Sequence, residues 1–431
     1  MTATAPDVLV VGGGAVGVAS AYELARRGVP TVLLERGSDV AAGCSYGNAG
    51  LICPSHAGPL ANPTAVRSGI RWMFNRTSPF YLRPRPAVLP WLARFTLAST
   101  ARRAHAGTQI LRPLSIASLE LHSQYFEAGI DTGFRRLGII NAYDTERRFE
   151  AAKREAASHA DDFPFQVLGE AEARDLEPAL NHVAGAVYYP TEAHCDGRRF
   201  VVEVGRAASA AGARIRTGVS VTRIRCRAGR IEAVETTEGT LHPGMVVIAA
   251  GVWSRGFARQ VGVPMPLEGG KGYHIDFTPG DRDPRIPLYL QETRVIVTPL
   301  EGALRLAGTL ELSGLDLSID ELRVAALRRA AETRVRGLEG RPVAEIWSGL
   351  RPCAADGMPI IGRSSRRENL VIATGHGMMG LALSPITAQM VGQLVTGERP
   401  VHDIAALSPD RFRIARRWGS QAEAPAVGRV A

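Results

Sequence analysis

The spacing of apolar residues changes twice within the first 37 residues. Residues 7–11, DVLVV, form a short β-branched run that is typical of a buried parallel strand. The next apolar positions recur at helical spacing up to Gly28, where a glycine commonly ends a helix. Residues 31–35, TVLLE, form a second apolar run. The pattern therefore predicts one complete β-α-β unit.

Further along the chain, strand-like and helix-like patterns alternate without any internal repeat. Strands are predicted within residues 135–144, 244–254, 271–277, 294–299 and 304–309, and helices within 113–128 and 321–338. Two longer stretches combine both patterns: helix, strand and strand in 197–224, and strand, glycine turn and helix in 369–395. Residues 401–431 lack periodicity, and we expect them to form a mobile C-terminal tail.

Composition narrows the class of protein. A chain of 431 residues with 45% apolar and 22% charged residues has the make-up of a globular protein of two domains or one composite domain. The net charge of +9 comes almost entirely from arginine, since Lys153 and Lys271 are the only lysines. Because no dense basic run with interleaved aromatics occurs, we expect no nucleic-acid partner.

The five cysteines and the N-terminus bear on the compartment. Their spacing fits neither a disulfide framework nor a zinc site, so we expect a reducing environment and no metal. No signal-peptide pattern precedes the first strand, and no apolar run reaches membrane-spanning length. These features predict a cytoplasmic protein.

A glycine motif joins the first strand to the first helix. Gly12, Gly14 and Gly17 form GxGxxG, which permits a tight turn, a close approach of the backbone to a pyrophosphate, and close helix–strand packing. Glu35 ends the second strand, where a carboxylate can accept hydrogen bonds from ribose hydroxyls. Glycine turns return at residues 249–251 and 375–380. Several returning segments favour FAD, a long dinucleotide, over NAD.

Motifs spread between residues 8 and 389 resemble those of one family of flavoenzymes. They are VVGGGAVGVASAYELARRG, VLLERGSDVAAGCSYGNAGLICP, GMVVIAAGVWS, KGYHIDF, QETRVIVTP, GLRPCAADGMPIIG and NLVIATGHGMMGLALSPITAQ. In this order they resemble the D-amino-acid oxidase superfamily of FAD-dependent oxidoreductases, and within it the bacterial D-amino-acid dehydrogenases.

The resemblance implies an α/β fold with two parts. A Rossmann-like FAD-binding domain would be built from the discontinuous segments 1–59, 189–261 and 347–400. A substrate domain with a large, mainly antiparallel sheet would come from 60–188 and 262–346. The implied reaction moves a hydride from the α-carbon of a D-amino acid to flavin N5, and water then hydrolyses the imine to a 2-oxo acid and ammonia. The implied substrates include a cyclic, D-proline-like amino acid, and the implied electron acceptor is a quinone or oxygen.

The resemblance also assigns residues to the cofactor, which we expect to be bound non-covalently. The expected FAD-binding residues are Gly12, Gly14, Ala15, Val16, Gly17, Glu35, Arg36, Gly43, Cys44, Ser45, Asn48, Gly50, Leu51, Val221, Ala250, Gly251, Trp253, Gly375, His376, Gly377, Met378, Met379, Gly380 and Leu381.

Three residues are expected to act on the substrate. Arg351 matches the carboxylate-binding arginine of the family's GLRP motif, and a guanidinium fork suits a carboxylate. Lys271, rare in a chain rich in arginine, and Tyr273 are predicted beside flavin or substrate, although each also suits a purely structural place in a strand. Met378 stands where some glycine oxidases have an arginine, which predicts a more apolar substrate side.

Two other functions stay open on this evidence. An oxidase of the glycine or sarcosine kind would pass electrons to oxygen, and a non-catalytic protein could carry FAD while binding a partner through its arginines. The segment at residues 78–95, SPFYLRPRPAVLPWLARF, has two interpretations: packing within the second domain, or peripheral contact with a membrane surface.

Overall fold

The fold is described from a computed structural model that covers residues 7–413. The α-helices are α1 (Ala15–Arg26), α2 (Pro63–Trp72), α3 (Leu89–Ala98), α4 (Ala101–Glu127), α5 (Glu146–Ala157), α6 (Glu170–Leu176), α7 (Gly197–Ala210), α8 (Ser254–Gln260), α9 (Glu321–Glu332) and α10 (Ser384–Thr396).

Twenty strands accompany them in the described part of the chain. They are β1 (Val8–Val11), β2 (Thr31–Leu34), β3 (Leu51–Ile52), β4 (Phe80–Leu82), β5 (Ile139–Tyr143), β6 (Gln166–Gly169), β7 (Gly185–Tyr189), β8 (Ala193–His194), β9 (Arg214–Arg216), β10 (Val221–Arg227), β11 (Arg230–Thr236), β12 (Gly239–Leu241), β13 (Met245–Ile248), β14 (Leu267–Phe277), β15 (Leu288–Leu290), β16 (Val295–Leu300), β17 (Ala303–Leu312), β18 (Val343–Ala354), β19 (Ile360–Ser364) and β20 (Arg367–Thr374).

The first sheet has six strands in the order β19-β20-β13-β1-β2-β9, and all neighbours are parallel except β19 and β20. Its central strands are fully buried, as their continuous apolar runs require. Helices α1, α7 and α10 pack together beside it. The carboxyl ends of β1, β2, β13 and β20 meet at one edge, where ligands bind in such sheets.

The second sheet has nine strands in the order β18-β14-β17-β16-β15-β5-β7-β6, with β4 also paired to β17. Apart from the β15–β5 and β17–β4 pairs, its neighbours are antiparallel. Helix α9 packs on one side, which we call the back face. The opposite front face carries a row of residues that are paired strand to strand: Asn141, Tyr289, Ile296, Ala307, His274 and Trp347. The predicted combination of a Rossmann-like sheet and a mainly antiparallel sheet is confirmed.

Several boundaries differ from expectation. Helix α4 begins at Ala101 and continues through Pro113, because buried Leu111 and Leu114 hold both sides of the proline against the core. Residues 343–354 form a single strand, so the predicted domain boundary at residue 347 falls within β18. Pro352 is tolerated there because β18 lies at the edge of its sheet.

Part of the predicted tail is packed. Leu407 is fully buried, and the Arg411 guanidinium binds the Asp356 carboxylate through two hydrogen bonds of 2.7 and 3.1 Å. The expectation of a mobile tail is therefore wrong for residues 401–413. Residues 414–431 lie outside the described residues.

The 78–95 segment contains β4, a short 3₁₀ turn and the start of α3. Its Trp91 is buried and donates a hydrogen bond to the carbonyl of Cys353 at 3.0 Å. Leu89 and, just beyond the segment, Leu97 remain exposed. None of the described helices is both long and apolar enough to cross a membrane.

Candidate active site

The turn between β1 and α1 is built so tightly that side chains would not fit. Gly12 has φ of +115°, and a Cβ there would lie 2.7 Å from the Ala249 carbonyl oxygen at the end of β13. A Cβ on Gly17 would lie 1.8 Å from the Gly12 oxygen. The first and third glycines of the motif therefore permit contact between β1, β13 and α1.

The N-terminus of α1 is left free for a negatively charged ligand. Gly14 caps it without a side-chain hydrogen bond, and the first turn contains no acidic residue. The Ser45 hydroxyl oxygen accepts a 3.0 Å hydrogen bond from the Ala15 N–H, which fixes the segment after β2 beside this turn. Free N–H groups and the helix dipole at such an end stabilise phosphate.

Glu35 lies at the end of β2 in a fixed orientation. One carboxylate oxygen accepts from the Gly13 N–H at 2.6 Å, and the other accepts from the Gly37 N–H at 2.8 Å. Each carboxylate oxygen has a second lone pair that these bonds do not use. The acid is therefore held beside the glycine turn and can accept further hydrogen bonds from hydroxyl groups.

A cavity of about 340 Å³ opens along the carboxyl ends of the parallel strands. Most residues expected to bind the cofactor line it: Gly12, Gly14, Ala15, Val16, Glu35, Arg36, Gly43, Cys44, Ser45, Asn48, Val221, Ala250, Gly251, Trp253, His376, Gly377, Gly380 and Leu381. Arg36 stacks over the Trp253 ring at 3.9 Å and forms part of one wall.

Six expected residues do not line this cavity. They are Gly17, Gly50, Leu51, Gly375, Met378 and Met379. The glycines among them serve close packing, since a Cβ on Gly50 would lie 2.3 Å from the Cys195 oxygen and one on Gly375 would lie 3.0 Å from Ile360. Met378 is exposed.

Sequence reasoning missed other lining residues. They include Gly37, Ala42, Val219, Ser220, Phe257, Pro352, Ala373 and Thr374. Ala373 and Thr374 end β20, so the rule that ligands gather at the carboxyl ends of parallel strands points to them once the strand order is known. Phe257 lies in α8, Pro352 lies in β18, and the others lie in connections, and the local pattern does not reveal where any of them meets the cavity.

The cavity fits a dinucleotide on three grounds. Its turn is closed by glycines where β1, β13 and α1 meet, its helix end is uncapped by acids, and Glu35 is held beside that turn where it can accept from ribose hydroxyls. These features together define a dinucleotide-binding protein, with a second sheet placed against the binding cavity.

Arg351 lies on the front face of β18 beside this cavity. Its guanidinium reaches across β14, where a Cβ on Gly272 would lie 2.2 Å from Nη1, and it donates a 2.8 Å hydrogen bond to the Thr309 carbonyl on β17. Thr309 has φ of +62° within a bulge in the β14–β17 pairing. The missing side chain of Gly272 and the bulge at Thr309 together hold the guanidinium in place.

Arg351 has no carboxylate partner within 4.0 Å among residues 7–413. The next residue, Pro352, lines the cavity, as does Cys44. Burial raises the pKa of the Cys44 thiol, and the nearby Arg351 charge opposes that rise. An unpaired guanidinium therefore lies at the rim of the cofactor cavity.

The wall between cavity and sheet is tied together by Arg305. This buried side chain forms a two-pronged ion pair with Asp276, with N–O distances of 2.8 and 2.7 Å. Its remaining nitrogen donates to the carbonyls of Tyr46 and Asn48 at 2.9 and 3.0 Å. The segment after β2 is thereby fixed to the front face of the second sheet.

Aromatic rings fill the space next to this anchor. The Trp347 and His274 rings stack with centroids 5.3 Å apart. Cβ atoms on Gly47 and Gly349 would lie 2.2 and 1.9 Å from the indole, so both glycines make room for it. Trp347 thus forms a half-buried wall beside Arg351, which sequence reasoning did not identify.

Lys271 lies on the other side of the sheet. Side chains alternate along β14, and Lys271 points to the back face while its neighbours Gly270 and Gly272 face Arg351. Its ammonium group lies 3.3 Å from carboxylate oxygens of Glu311 and Asp316 and donates to the Ser318 carbonyl at 2.9 Å. The expected place beside flavin or substrate is therefore wrong for Lys271.

Tyr273 shares that back face and requires the same correction. Its hydroxyl donates a 2.8 Å hydrogen bond to Glu311, and burial together with this carboxylate raises its pKa well above the usual range. Arg323 of α9 adds a contact of 3.4 Å to Glu311. Lys271 and Tyr273 thus belong to a buried polar cluster that joins the sheet to α9.

His376 and Cys353 are also fully enclosed. Burial lowers the pKa of His376 to about 4, and its Nε2 lies 3.0 Å from the Thr387 hydroxyl. Burial raises the pKa of Cys353 to about 12. The ring of His376 is therefore neutral at ordinary pH, and the Cys353 thiol is protonated there.

Comparison with known proteins identifies the family. The model of the family described as FAD dependent oxidoreductase matches residues 7–394. A D-amino acid dehydrogenase from Agrobacterium fabrum is 30% identical over 417 residues, covering 94% of this chain and 99% of that protein. One from Bradyrhizobium diazoefficiens is 28% identical over 422 residues, covering 96% and 100%.

Among solved structures, glycine oxidase from Geobacillus kaustophilus superposes with a TM-score of 0.77 at 26% identity, covering 95% of this chain and 99% of that one. The chain belongs to the family of FAD-dependent oxidoreductases, which confirms both the resemblance and FAD as the cofactor.

Replacing Lys271 with methionine tests its structural role. We expect the free energy of unfolding to fall by about 3–5 kcal/mol, because Glu311 loses a buried cationic partner. Denaturant unfolding measures this change. Lys153, the other lysine, is partly exposed, and Lys153→Met should change the free energy of unfolding by less than about 0.5 kcal/mol. If the Lys271→Met protein stayed stable but lost turnover, the structural role would be contradicted and a place beside the substrate supported.

Gly272→Ala tests the seat of Arg351. The new Cβ would occupy the position of the guanidinium, so we expect the KM for a carboxylate substrate to rise roughly 10-fold or more while FAD remains bound. Gly256→Ala in α8, where a Cβ meets nothing within 4 Å, is the matched control and should change KM little. Steady-state kinetics with a dye acceptor checks both variants, and an unchanged KM in Gly272→Ala would contradict this placement.

Proposed function

We propose that this protein oxidises the α-carbon of a D-amino acid, releasing an imine that water hydrolyses to a 2-oxo acid and ammonia. The observation that carries the proposal is the Arg351 guanidinium at the rim of the FAD cavity, which is held by a carbonyl and has no acidic partner within residues 7–413. Bound FAD supplies the acceptor for the hydride that leaves the α-carbon.

The residues of the chain then act by binding and orientation. The Arg351 guanidinium donates hydrogen bonds to the substrate carboxylate, which fixes one end of the molecule at the cavity rim. Trp347 borders that position and restricts the room on one side. With the carboxylate held, rotation of the substrate is limited, and the α-carbon is kept at the cavity. The neutral His376 ring is enclosed and hydrogen-bonded to the Thr387 hydroxyl, which supports a role in lining the cavity.

The named relatives support the same assignment. The Agrobacterium and Bradyrhizobium proteins are D-amino acid dehydrogenases, and they match almost the full length of this chain. A cyclic D-amino acid such as D-proline offers the same carboxylate and α-hydrogen and is included in the proposal. The second candidate is an amine oxidase of the glycine type, which the superposition on glycine oxidase favours.

Anaerobic reduction of the bound flavin tests the function. We expect D-amino acids to bleach the flavin spectrum in a panel that also contains L-amino acids, N-methyl amino acids and D-proline. Arg351→Ala should lower the second-order rate of reduction roughly 10²- to 10⁴-fold, because two charged hydrogen bonds are lost, while FAD stays bound. Arg351→Lys should recover only part of the reduction rate, since lysine lacks the two parallel donors of a guanidinium.

Arg259→Ala is the matched control for that experiment. Arg259 is an exposed arginine of α8, and its loss should leave the reduction rate unchanged. Normal reduction in Arg351→Ala would contradict the site assignment. Failure of every amino acid to reduce the flavin would instead support a protein that carries FAD without catalysis.

Oxygen consumption and peroxide formation separate the two electron acceptors. We propose a quinone, in line with the named dehydrogenases, and expect turnover to require a quinone or dye. A membrane quinone would bring the protein to a membrane surface. The exposed Ile70, Phe74, Leu89 and Leu97, interspersed with arginines, support peripheral contact there, and sedimentation with anionic vesicles measures it.

FAD is proposed to be bound non-covalently. Cys353, the cysteine nearest Arg351 in sequence, is buried as a protonated thiol, which makes it a poor nucleophile. Acid precipitation should therefore leave the yellow flavin in the supernatant. Flavin that stays with the precipitated protein would contradict this proposal.

A further inference from the structure

A second guanidinium lies on the front face of the sheet without an acidic partner. Arg294 ends the turn between β15 and β16, with φ of +57°. Its Nη1 donates to the Tyr289 hydroxyl at 3.2 Å and to the Gln291 side-chain oxygen at 3.1 Å. Within residues 7–413, no carboxylate oxygen lies within 4.0 Å of its guanidinium nitrogens. Its side-chain hydrogen bonds therefore go to neutral groups, and the Glu155 charge acts on Arg294 only from beyond 4.0 Å.

Pairing between strands places Arg294 on the same face as Arg351. Tyr289, its hydrogen-bond partner, belongs to the front-face row that runs through Ala307 to Trp347. Trp347 and Arg351 are four residues apart on β18, so both point to that face. The two arginines thus project toward the same side of the sheet.

The backbone of Arg294 also lies close to the carbonyl that holds Arg351. The guanidinium of Arg351 reaches β17 at the Thr309 carbonyl. A Cβ on Gly308, the preceding residue, would lie 3.1 Å from the carbonyl oxygen of Arg294. Neighbouring strands are about 4.8 Å apart. The backbone of Arg294 therefore lies one strand away from the Thr309 carbonyl, which holds the Arg351 guanidinium.

Other polar groups surround Arg294 without neutralising it. The His56 ring lies 5.8 Å from the Tyr289 ring, and its Nε2 lies 3.1 Å from the Asn141 amide. Burial, with a smaller contribution from the Arg294 charge, lowers the pKa of His56 to about 4. The side-chain oxygen of Asn141 is buried without a hydrogen-bond partner. The surroundings of Arg294 therefore include neutral hydrogen-bonding groups.

Besides Glu155, two acids lie near Arg294, and each contacts another group. Glu292 lies 3.8 Å from Arg148, and Glu192 accepts a 2.8 Å hydrogen bond from the Ser55 N–H. Burial raises the pKa of Glu192 to about 7. Neither of these two carboxylates compensates the Arg294 charge at hydrogen-bonding distance, so the guanidinium is suited to a negatively charged group supplied by a ligand.

We propose that Arg294 binds a second acidic group on the substrate, so that the enzyme prefers D-amino acids with a carboxylate side chain. The inference rests on the proposed function, because it takes Arg351 as the holder of the α-carboxylate. Arg294 is then a specificity-determining residue at the far end of the same substrate.

Matched substrate pairs test the preference. With D-glutamate against D-glutamine, and D-aspartate against D-asparagine, we expect the acid of at least one pair to have a kcat/KM roughly 10-fold or more above its amide. Arg294→Gln should lower kcat/KM for that acid roughly 10- to 100-fold and change the value for the amide less than about 3-fold. Arg148→Gln, which removes a neighbouring charge paired with Glu292, is the control and should preserve the preference.

Binding of unreactive diacids gives a readout that does not depend on turnover. Succinate, glutarate and adipate are compared with the monoacids butyrate, valerate and hexanoate by their perturbation of the flavin spectrum. We expect one diacid to bind roughly 10-fold or more tightly than its monoacid, and Arg294→Gln to remove this difference.

The outcomes separate the two hypotheses. If neutral D-amino acids reduce the flavin as well as acidic ones, and Arg294→Gln affects both equally, the acidic-substrate inference is overturned while the proposed function stands. If no amino acid reduces the flavin of the wild-type protein, the proposed function fails, and the inference about its substrate fails with it. Tight diacid binding that is lost in Arg294→Gln would then show only an anion site.

Discussion

The ion pair between Arg305 and Asp276 is the interaction on which the geometry of the site depends. Arg305 binds Asp276 within the second sheet and, with its third nitrogen, the carbonyls of Tyr46 and Asn48. Ser45, next to those carbonyls, holds the N-terminus of α1. A single buried guanidinium therefore fixes the cofactor cavity relative to the sheet that carries Arg351. The pair fixes this arrangement because removal of either partner would leave an uncompensated buried charge.

Much of the cofactor site could be predicted from local sequence. The glycine turn, the helix it opens and the acid at the end of the next strand are adjacent in the chain, so their geometry follows from residue type and spacing. Arg351 required the family resemblance, because its place on an edge strand follows only from the pairing of β18 with β14. The glycines that make room for it, above all Gly272, acquire meaning only when the strands are paired.

The misplacement of Lys271 and Tyr273 has a specific cause. Alternation along β14 shows from sequence alone that these two residues share one face and that Gly270 and Gly272 share the other. It does not show which face meets the cofactor, since that depends on α9 packing on one face and the segment after β2 lying against the other. Thr309 and Arg294 were missed for a related reason, because positive φ values at non-glycine residues arise from tertiary packing.

The bulge at Thr309 has a consequence for how the empty site behaves. Arg351 is held by a carbonyl oxygen, a neutral acceptor, and no carboxylate in the described part of the chain has to be displaced before an anion binds. The guanidinium keeps its full charge beside a sheltered cavity, where small anions from the solution can settle. Acetate, citrate or sulfate in a buffer would then compete with substrate, and the apparent affinity would depend on which salt is present as well as on ionic strength.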